Sequence, residues 1–180
     1  MKKLVLGAIG AILFLILGCS ATSKTIENNA IVSDILDTKE FEIIATEAQP
    51  FLTNALSQVL NSGLLAPGDN LGRINLSPGT NILKVKGDSV YADLAYYGER
   101  RIGGGYNTGT GIKFEGIAKD FKILENPKKK GYQIKFTINR KTENFIVNGM
   151  VYYNKKGFFT IASSHRNRIQ YSGYLNTATQ

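Results

Sequence analysis

Tyr132-Gln133-Ile134-Lys135-Phe136-Thr137-Ile138-Asn139 decides the fold class. Tyr132, Ile134, Phe136 and Ile138 alternate with Gln133, Lys135, Thr137 and Asn139, a period of two that only an extended strand uses. One apolar face and one polar face belong to an antiparallel sheet packed on one side and wet on the other. Downstream, Phe145–Tyr153, Gly157–Ala162 and Arg168–Leu175 read as further short strands, with Gly, Asn and Lys at the turns. Upstream, Ile82–Lys86 and Ser89–Tyr97 flank Gly87-Asp88, a two-residue hairpin signal. Lys113–Leu124 is extended, and its alternation shifts near Gly116, which predicts a bulge there. The cadence predicts an α+β domain, mostly antiparallel β. About eight short strands would form a meander closing into a barrel-like or curled sheet.

The helical part lies towards the N-terminus. Asn29–Thr38 reads as a short helix, Phe41–Thr46 as a first strand ending before Pro50, and Phe51–Leu60 as an amphipathic helix stopped by Ser62-Gly63. Ala66–Asn70 is a turn-rich loop, and Glu99–Gly111 a glycine-rich one. No internal repeat is present.

The first twenty residues carry an address. Lys2 and Lys3 precede an uncharged apolar run, Leu4–Leu17. As a helix it spans about 21 Å, short for a bilayer core of about 30 Å and suited to a signal peptide. Ile16-Leu17-Gly18-Cys19 ends it and resembles a lipobox. The resemblance implies cleavage between Gly18 and Cys19 and acylation of the Cys19 thiol. Cys19 is the one cysteine of the chain, so no internal disulfide can form. Ser20 rather than Asp follows it, which favours the outer membrane, facing the periplasm. The expected organisation is a signal peptide over 1–18, a polar tether over 19–28, a single domain over 29–176 and a short tail over 177–180. Residues 19 onward suffice for one domain with a core.

Charge narrows the partners. The chain has a formal net charge of +8, of which Lys2 and Lys3 leave with the signal. Outside the cytoplasm a basic balance points to anionic lipid or acidic glycans and away from nucleic acid. In a meander, successive turns lie at alternate ends. Lys128, Lys129 and Lys130 would then share one end with Lys155 and Lys156, a candidate contact with an anionic surface. Arg140, Lys141, His165, Arg166 and Arg168 would share the other.

With His165 the one histidine and Cys19 assigned to lipid, no metal cluster can be assembled from the usual ligands, and no cofactor is called for. Ser163-Ser164-His165 are adjacent only along the chain, and neighbours on a strand face opposite ways. No Gly-x-Ser-x-Gly elbow occurs. Acidic residues such as Asp93, Glu99, Glu115 and Asp120 have nothing in the sequence to set the separation a glycosidase needs. The loop from Gly103 to Gly111 lacks both the dinucleotide and Walker spacings, and a strand follows it instead of a helix. It reads as a lid-like loop in which Arg100, Arg101 and Tyr106 could meet an anionic ligand. Eight of the nine tyrosines fall on predicted strands. In a hollow barrel some would line a cavity for an amphipathic molecule.

Phe41-Glu42-Ile43-Ile44-Ala45, Gly87-Asp88-Ser89-Val90-Tyr91-Ala92, Tyr96-Tyr97-Gly98, Gly111–Gly116 and Arg168–Gly173 together resemble a family of small Bacteroidota-type lipoproteins catalogued as a domain of unknown function. The resemblance spans about residues 28–176. It implies fold and envelope localisation, and no active-site residues to carry over. The chain departs from the family pattern between Phe51 and Asn70, where it carries extra sequence. In that setting Asp88-Ser89-Val90 is similar to the sites that such bacteria O-glycosylate, which makes Ser89 a candidate.

The reading is an outer-membrane-anchored lipoprotein, held by its N-terminal lipid, whose domain is a non-enzymatic module binding an unidentified partner in the envelope. The alternative is a calycin-like carrier of a small amphipathic ligand. An enzyme with an unrecognised site is third.

Overall fold

The computed structural model describes residues 20–62, 69–70, 72–102, 111–140 and 142–178. The signal segment with Gly18 and Cys19, the glycine-rich stretch 103–110 with Tyr106, and Lys141 lie outside the described residues. So do the side chains of residues 20–26, 55 and 59–61.

The chain runs α1 (Ser20–Asp37), β1 (Glu40–Pro50), α2 (Asn54–Asn61), β2 (Ile74–Asn75), β3 (Ile82–Lys86), β4 (Ser89–Leu94), β5 (Ile112–Ile117), β6 (Lys119–Asn126), a 3-10 turn (Pro127–Lys129), β7 (Gly131–Asn139), β8 (Asn144–Tyr152), β9 (Lys156–Ser163) and β10 (Ile169–Thr177). Nine strands form one antiparallel sheet in the order β5-β4-β3-β1-β10-β9-β8-β7-β6, and β2 pairs with β1 at the side. The expected single meander is therefore two, β3–β5 and β6–β10, joined through β1. Buried along most of its length, β1 takes the middle because it has strands on both sides.

β5 and β6 explain why the sheet curls. They are the two edges of the sheet, yet Ala118 alone separates them in sequence. One long extended segment pairs first with β4 and then with β7, so the edges meet and the sheet approaches a closed barrel. The expected bulge is displaced from Gly116. The irregularity sits between Lys119 and Lys122, where Asp120 takes φ +54°, and the Ala118 amide turns to the Asp88 carbonyl at 2.8 Å. Changing partner strand, and no local glycine preference, sets its place.

A second irregularity bends β1 between Ala45 and Glu47, opposite Gly173 of β10. A Cβ on Gly173 would lie 1.9 Å from the Ile44 carbonyl oxygen. Only glycine permits that approach. The Gly87-Asp88 hairpin forms as expected, with Val85 opposite Val90 and Gly87 at φ +61°.

Inside, the strands deliver one residue in two, and the interior is filled. Phe41, Phe114, Phe136, Phe159 and Tyr171 are each under 2 % exposed or at that limit. Phe159 stacks on Tyr171 at 5.2 Å, and Phe114 meets Phe145 at 5.0 Å. α1 closes the lower end, where the 87–88, 127–130 and 153–155 turns lie. It buries Val32, Ile35 and Leu36, spaced i, i+3, i+4. The helix starts earlier than the sequence suggested, at Ser20, so residues 20–28 of the expected tether are helical. No helix among the described residues is long and apolar enough to cross a membrane.

Candidate functional site

The upper end is built by two segments that interlock. Ala95–Ile102 leaves β4 and folds over the barrel mouth, and Ser164–Arg168 connects β9 to β10. Asn167 donates its amide to the Glu99 carbonyl at 2.9 Å, and Arg101 donates its amide to the His165 carbonyl at 2.8 Å. Tyr96 pins the same seam. Its hydroxyl lies 2.7 Å from the Glu99 carbonyl and 3.0 Å from the Asn167 carbonyl.

Beneath the seam sits a buried polar group. Arg166, 7 % exposed, donates from Nε to Glu143 Oε1 at 3.0 Å and from Nη1 to the Gly111 carbonyl at 2.9 Å. Its guanidinium lies 5.2 Å from the centroid of the Tyr96 ring. The Ser163 hydroxyl accepts the Arg166 amide at 2.9 Å and donates to Glu143 Oε1. Burying a charge is costly unless it is paired and hydrogen-bonded, and here each requirement is met. Burial pushes the Tyr96 phenol up to about 12, even though Arg166 pulls it down. Burial likewise pushes Tyr171 upward; its hydroxyl donates to the Ala95 carbonyl at 2.7 Å. Tyrosines held protonated in this way are hydrogen-bond donors, not bases.

Two adjoining hollows flank this brace on the outer wall. One, of about 360 Å³, is lined by Phe51, Arg101, Ala162, Asn167 and Arg168. The other, of about 310 Å³, shares Phe51 and Arg168 and continues along Gln49, Thr160 and Gln170. Phe51 is 52 % exposed with the Arg168 guanidinium 5.7 Å from its ring centroid; Leu52, next to Phe51 in the chain, and Ile102, next to Arg101, are exposed too. Arg168 makes no ion pair among the described residues. A third depression, of about 460 Å³, lies over the upper parts of β4 and β5 and is polar, with Lys113 paired to Asp93 at 2.9 Å. That pairing pushes the Lys113 amine upward.

The residues expected to select an anion fare differently. Arg101 donates from Nη2 to the carbonyls of Ser163 at 2.5 Å and Arg166 at 3.1 Å. It is a brace between two loops, because the carbonyls that end β9 need donors. Arg100 forms a backbone bridge with Arg166. Tyr106 lies outside the described residues. The expected cation groups are otherwise brought together: Arg140, His165, Arg166 and Arg168 share the upper end, with Arg166 buried. At the lower end, the Tyr153 amide donates to the Lys130 carbonyl at 2.9 Å, which joins the two lysine turns. Lys128, Lys129, Lys130, Lys155 and Lys156 are all exposed. Ser89 is half-buried beside the hairpin tip, where Asp88 pairs with Lys39 at 3.3 Å. Among the described residues no group of His, Cys, Asp and Glu could hold a metal ion.

The sequence reading missed the Arg166–Glu143 pair and the Phe51–Arg168 surface. Ser163-x-x-Arg166 was a usable signal, since a Ser hydroxyl accepting amides two and three residues on marks a tight turn. The pairing partner Glu143 had none, because it arrives from a different hairpin.

The model of a domain of unknown function, DUF4251, matches residues 23–175. The chain is also similar to a solved structure, a DUF4251 family protein from Bacteroides eggerthii. The two share 15 % identity at a TM-score of 0.57, over 83 % of this chain and 87 % of that one. At that identity the likeness concerns the fold. No curated protein matches.

Proposed function

This chain belongs to the DUF4251 family, and from that premise we propose that it is a lipoprotein anchored through Cys19 in the outer membrane. Its domain is then a non-enzymatic binding module that works from its outer surface. The observation that carries the reading is the filled barrel. Aromatic and branched side chains occupy the interior, so a ligand has no room there among the described residues. What remains for recognition is the upper rim, where Phe51 exposes apolar surface against Arg168, which makes no ion pair among the described residues, and where Leu52 and Ile102 are exposed as well. Aromatic residues and arginine are the types that dominate binding interfaces, and a cation beside an exposed ring suits an acidic partner segment with an apolar anchor. The Ile16–Cys19 motif supports the anchor. A carrier of an amphipathic molecule would need an internal cavity, which the packing argues against.

Native mass spectrometry of the full chain, released from envelopes in mild detergent, tests this. The expected species is acylated and otherwise unliganded. A reproducible extra mass of a few hundred daltons would replace the module by the carrier. An unacylated chain would overturn the anchor. A photo-crosslinking residue at Phe51 tests the rim: a discrete adduct is expected, lost when Arg168→Glu is added, and no adduct at all would remove the rim from the reading.

A further inference from the structure

We propose that the lower end of the barrel docks on anionic phospholipid headgroups, so that the domain stands on its lysine-tipped turns with the upper rim facing away from the membrane. The inference rests on the lipid-anchor reading and adds an orientation to it.

Three observations converge on that end. First, two separate turns bring five exposed lysines together: Lys128, Lys129 and Lys130 from the β6–β7 turn, and Lys155 and Lys156 from the β8–β9 turn. Glu125, which precedes the first of these turns, already accepts from the Tyr153 hydroxyl at 2.7 Å and from Asn29 at 3.4 Å, and Asp88 at the same end is paired with Lys39. Second, Lys130 and Lys155 occupy the left-handed backbone region, with φ of +52° and +64°. Glycine takes that conformation without penalty and asparagine takes it readily. A lysine at both turns places charge where the backbone would favour another residue. Third, α1 arrives at the same end. Asn28 lines a groove of about 300 Å³ together with Lys129, Lys130, Tyr152, Tyr153 and Asn154, and the Tyr132 hydroxyl donates to Asn29 Oδ1 at 2.8 Å. The helix begins at Ser20, about 12 Å along its axis from Asn28.

The chemistry fits a headgroup layer. Ammonium groups on flexible stems are suited to diffuse phosphate charge, while the exposed Leu124 and Tyr174 near the same end provide an apolar and an amphipathic contact. Each lysine that reaches an anionic surface strengthens docking by about fivefold. Two lost lysines would weaken it about 25-fold.

Lysine footprinting tests the proposal on the full acylated chain in vesicles. An impermeant amine-reactive reagent is applied to the chain in zwitterionic vesicles and in vesicles containing a third phosphatidylglycerol. Lys128–Lys130, Lys155 and Lys156 should react severalfold more slowly only in the anionic vesicles, while Lys122 and Lys135 on the side wall react equally in both. Raising the salt to 1 M, where the screening length falls to about 3 Å, should restore reactivity. Lys128→Gln with Lys129→Gln should release Lys155 and Lys156 in the other turn, and the paired Arg substitutions should keep them protected. Equal reactivity in both vesicle types overturns docking, as does protection that the Gln pair leaves intact. Protection seen in native envelopes but absent from pure lipid would also overturn it, in favour of an acidic protein. Flotation reads the anchor separately: a chain that fails to float with either vesicle contradicts the lipoprotein reading, whereas one that floats without protection contradicts docking alone.

Discussion

Arg166→Met should cost about 3–5 kcal/mol of stability, the usual loss when one member of a buried ion pair is removed. The structure gives the reason for a value in that range. The side chains of Arg166 and Glu143 are only 9 % and 13 % exposed. Removing the guanidinium leaves the Glu143 carboxylate with the Ser163 hydroxyl as its donor among the described residues and takes the Nη1 donor from the Gly111 carbonyl. For a domain of this size each kcal/mol moves Tm by roughly 2–4 °C, so the melting point should fall by about 6–20 °C. Urea unfolding of the full chain in detergent, followed by tyrosine fluorescence, measures the change at constant m-value. Arg166→Met combined with Glu143→Met should cost much less than the two single losses added together, because no charge is then stranded. A single variant within 1 kcal/mol of wild type would refute this account. Arg166 would then be held for ligand rather than for the fold, since binding residues are often neutral to stability when replaced.

Further outcomes follow from the same geometry. Tyr96 and Tyr171 have phenols raised by burial above the unfolded value near 10. Above pH 10 the unfolded chain releases protons that the folded chain retains, so their stabilisation is complete below pH 10 and declines as pH rises towards 12. Tyr171→Phe should flatten that alkaline decline in a pH series of melts, and an unchanged slope would contradict it. Gly173→Ala forces β1 and β10 apart and should abolish cooperative unfolding, whereas Gly116→Ala, where a Cβ meets nothing within 4 Å, should stay within about 0.5 kcal/mol of wild type. Circular dichroism melts separate the two. If Ser89 carries a glycan, intact mass of natively expressed protein should exceed the acylated polypeptide, and Ser89→Ala should remove the excess. A mass explained by lipid alone would end that expectation.

Much of the architecture was legible from local pattern. Tyr132–Ile138 announced its inward face by strict alternation, and those four positions are buried. Gly87-Asp88 announced a hairpin because a tight turn needs a left-handed residue there. α2 was readable from its apolar spacing. Other features were hidden for a definite reason. The partner exchange at Ala118 leaves no mark in composition, since both halves of the segment are ordinary strand. The position of β1 between β3 and β10 depends on pairings across as many as 136 positions, such as Phe41 with Thr177, and no local window contains them.

By itself, then, the sequence determined strand periodicity, turn positions and the basic balance, and displayed a lipobox-like motif, because each is a property of neighbouring residues. Tertiary structure alone decided which charges meet. It buried Arg166 against Glu143, spent Arg101 on carbonyls, left Arg168 beside an exposed Phe51, and filled the barrel where a cavity was the alternative. Those outcomes depend on strand order and closure, which follow from the summed packing of side chains far apart in the chain.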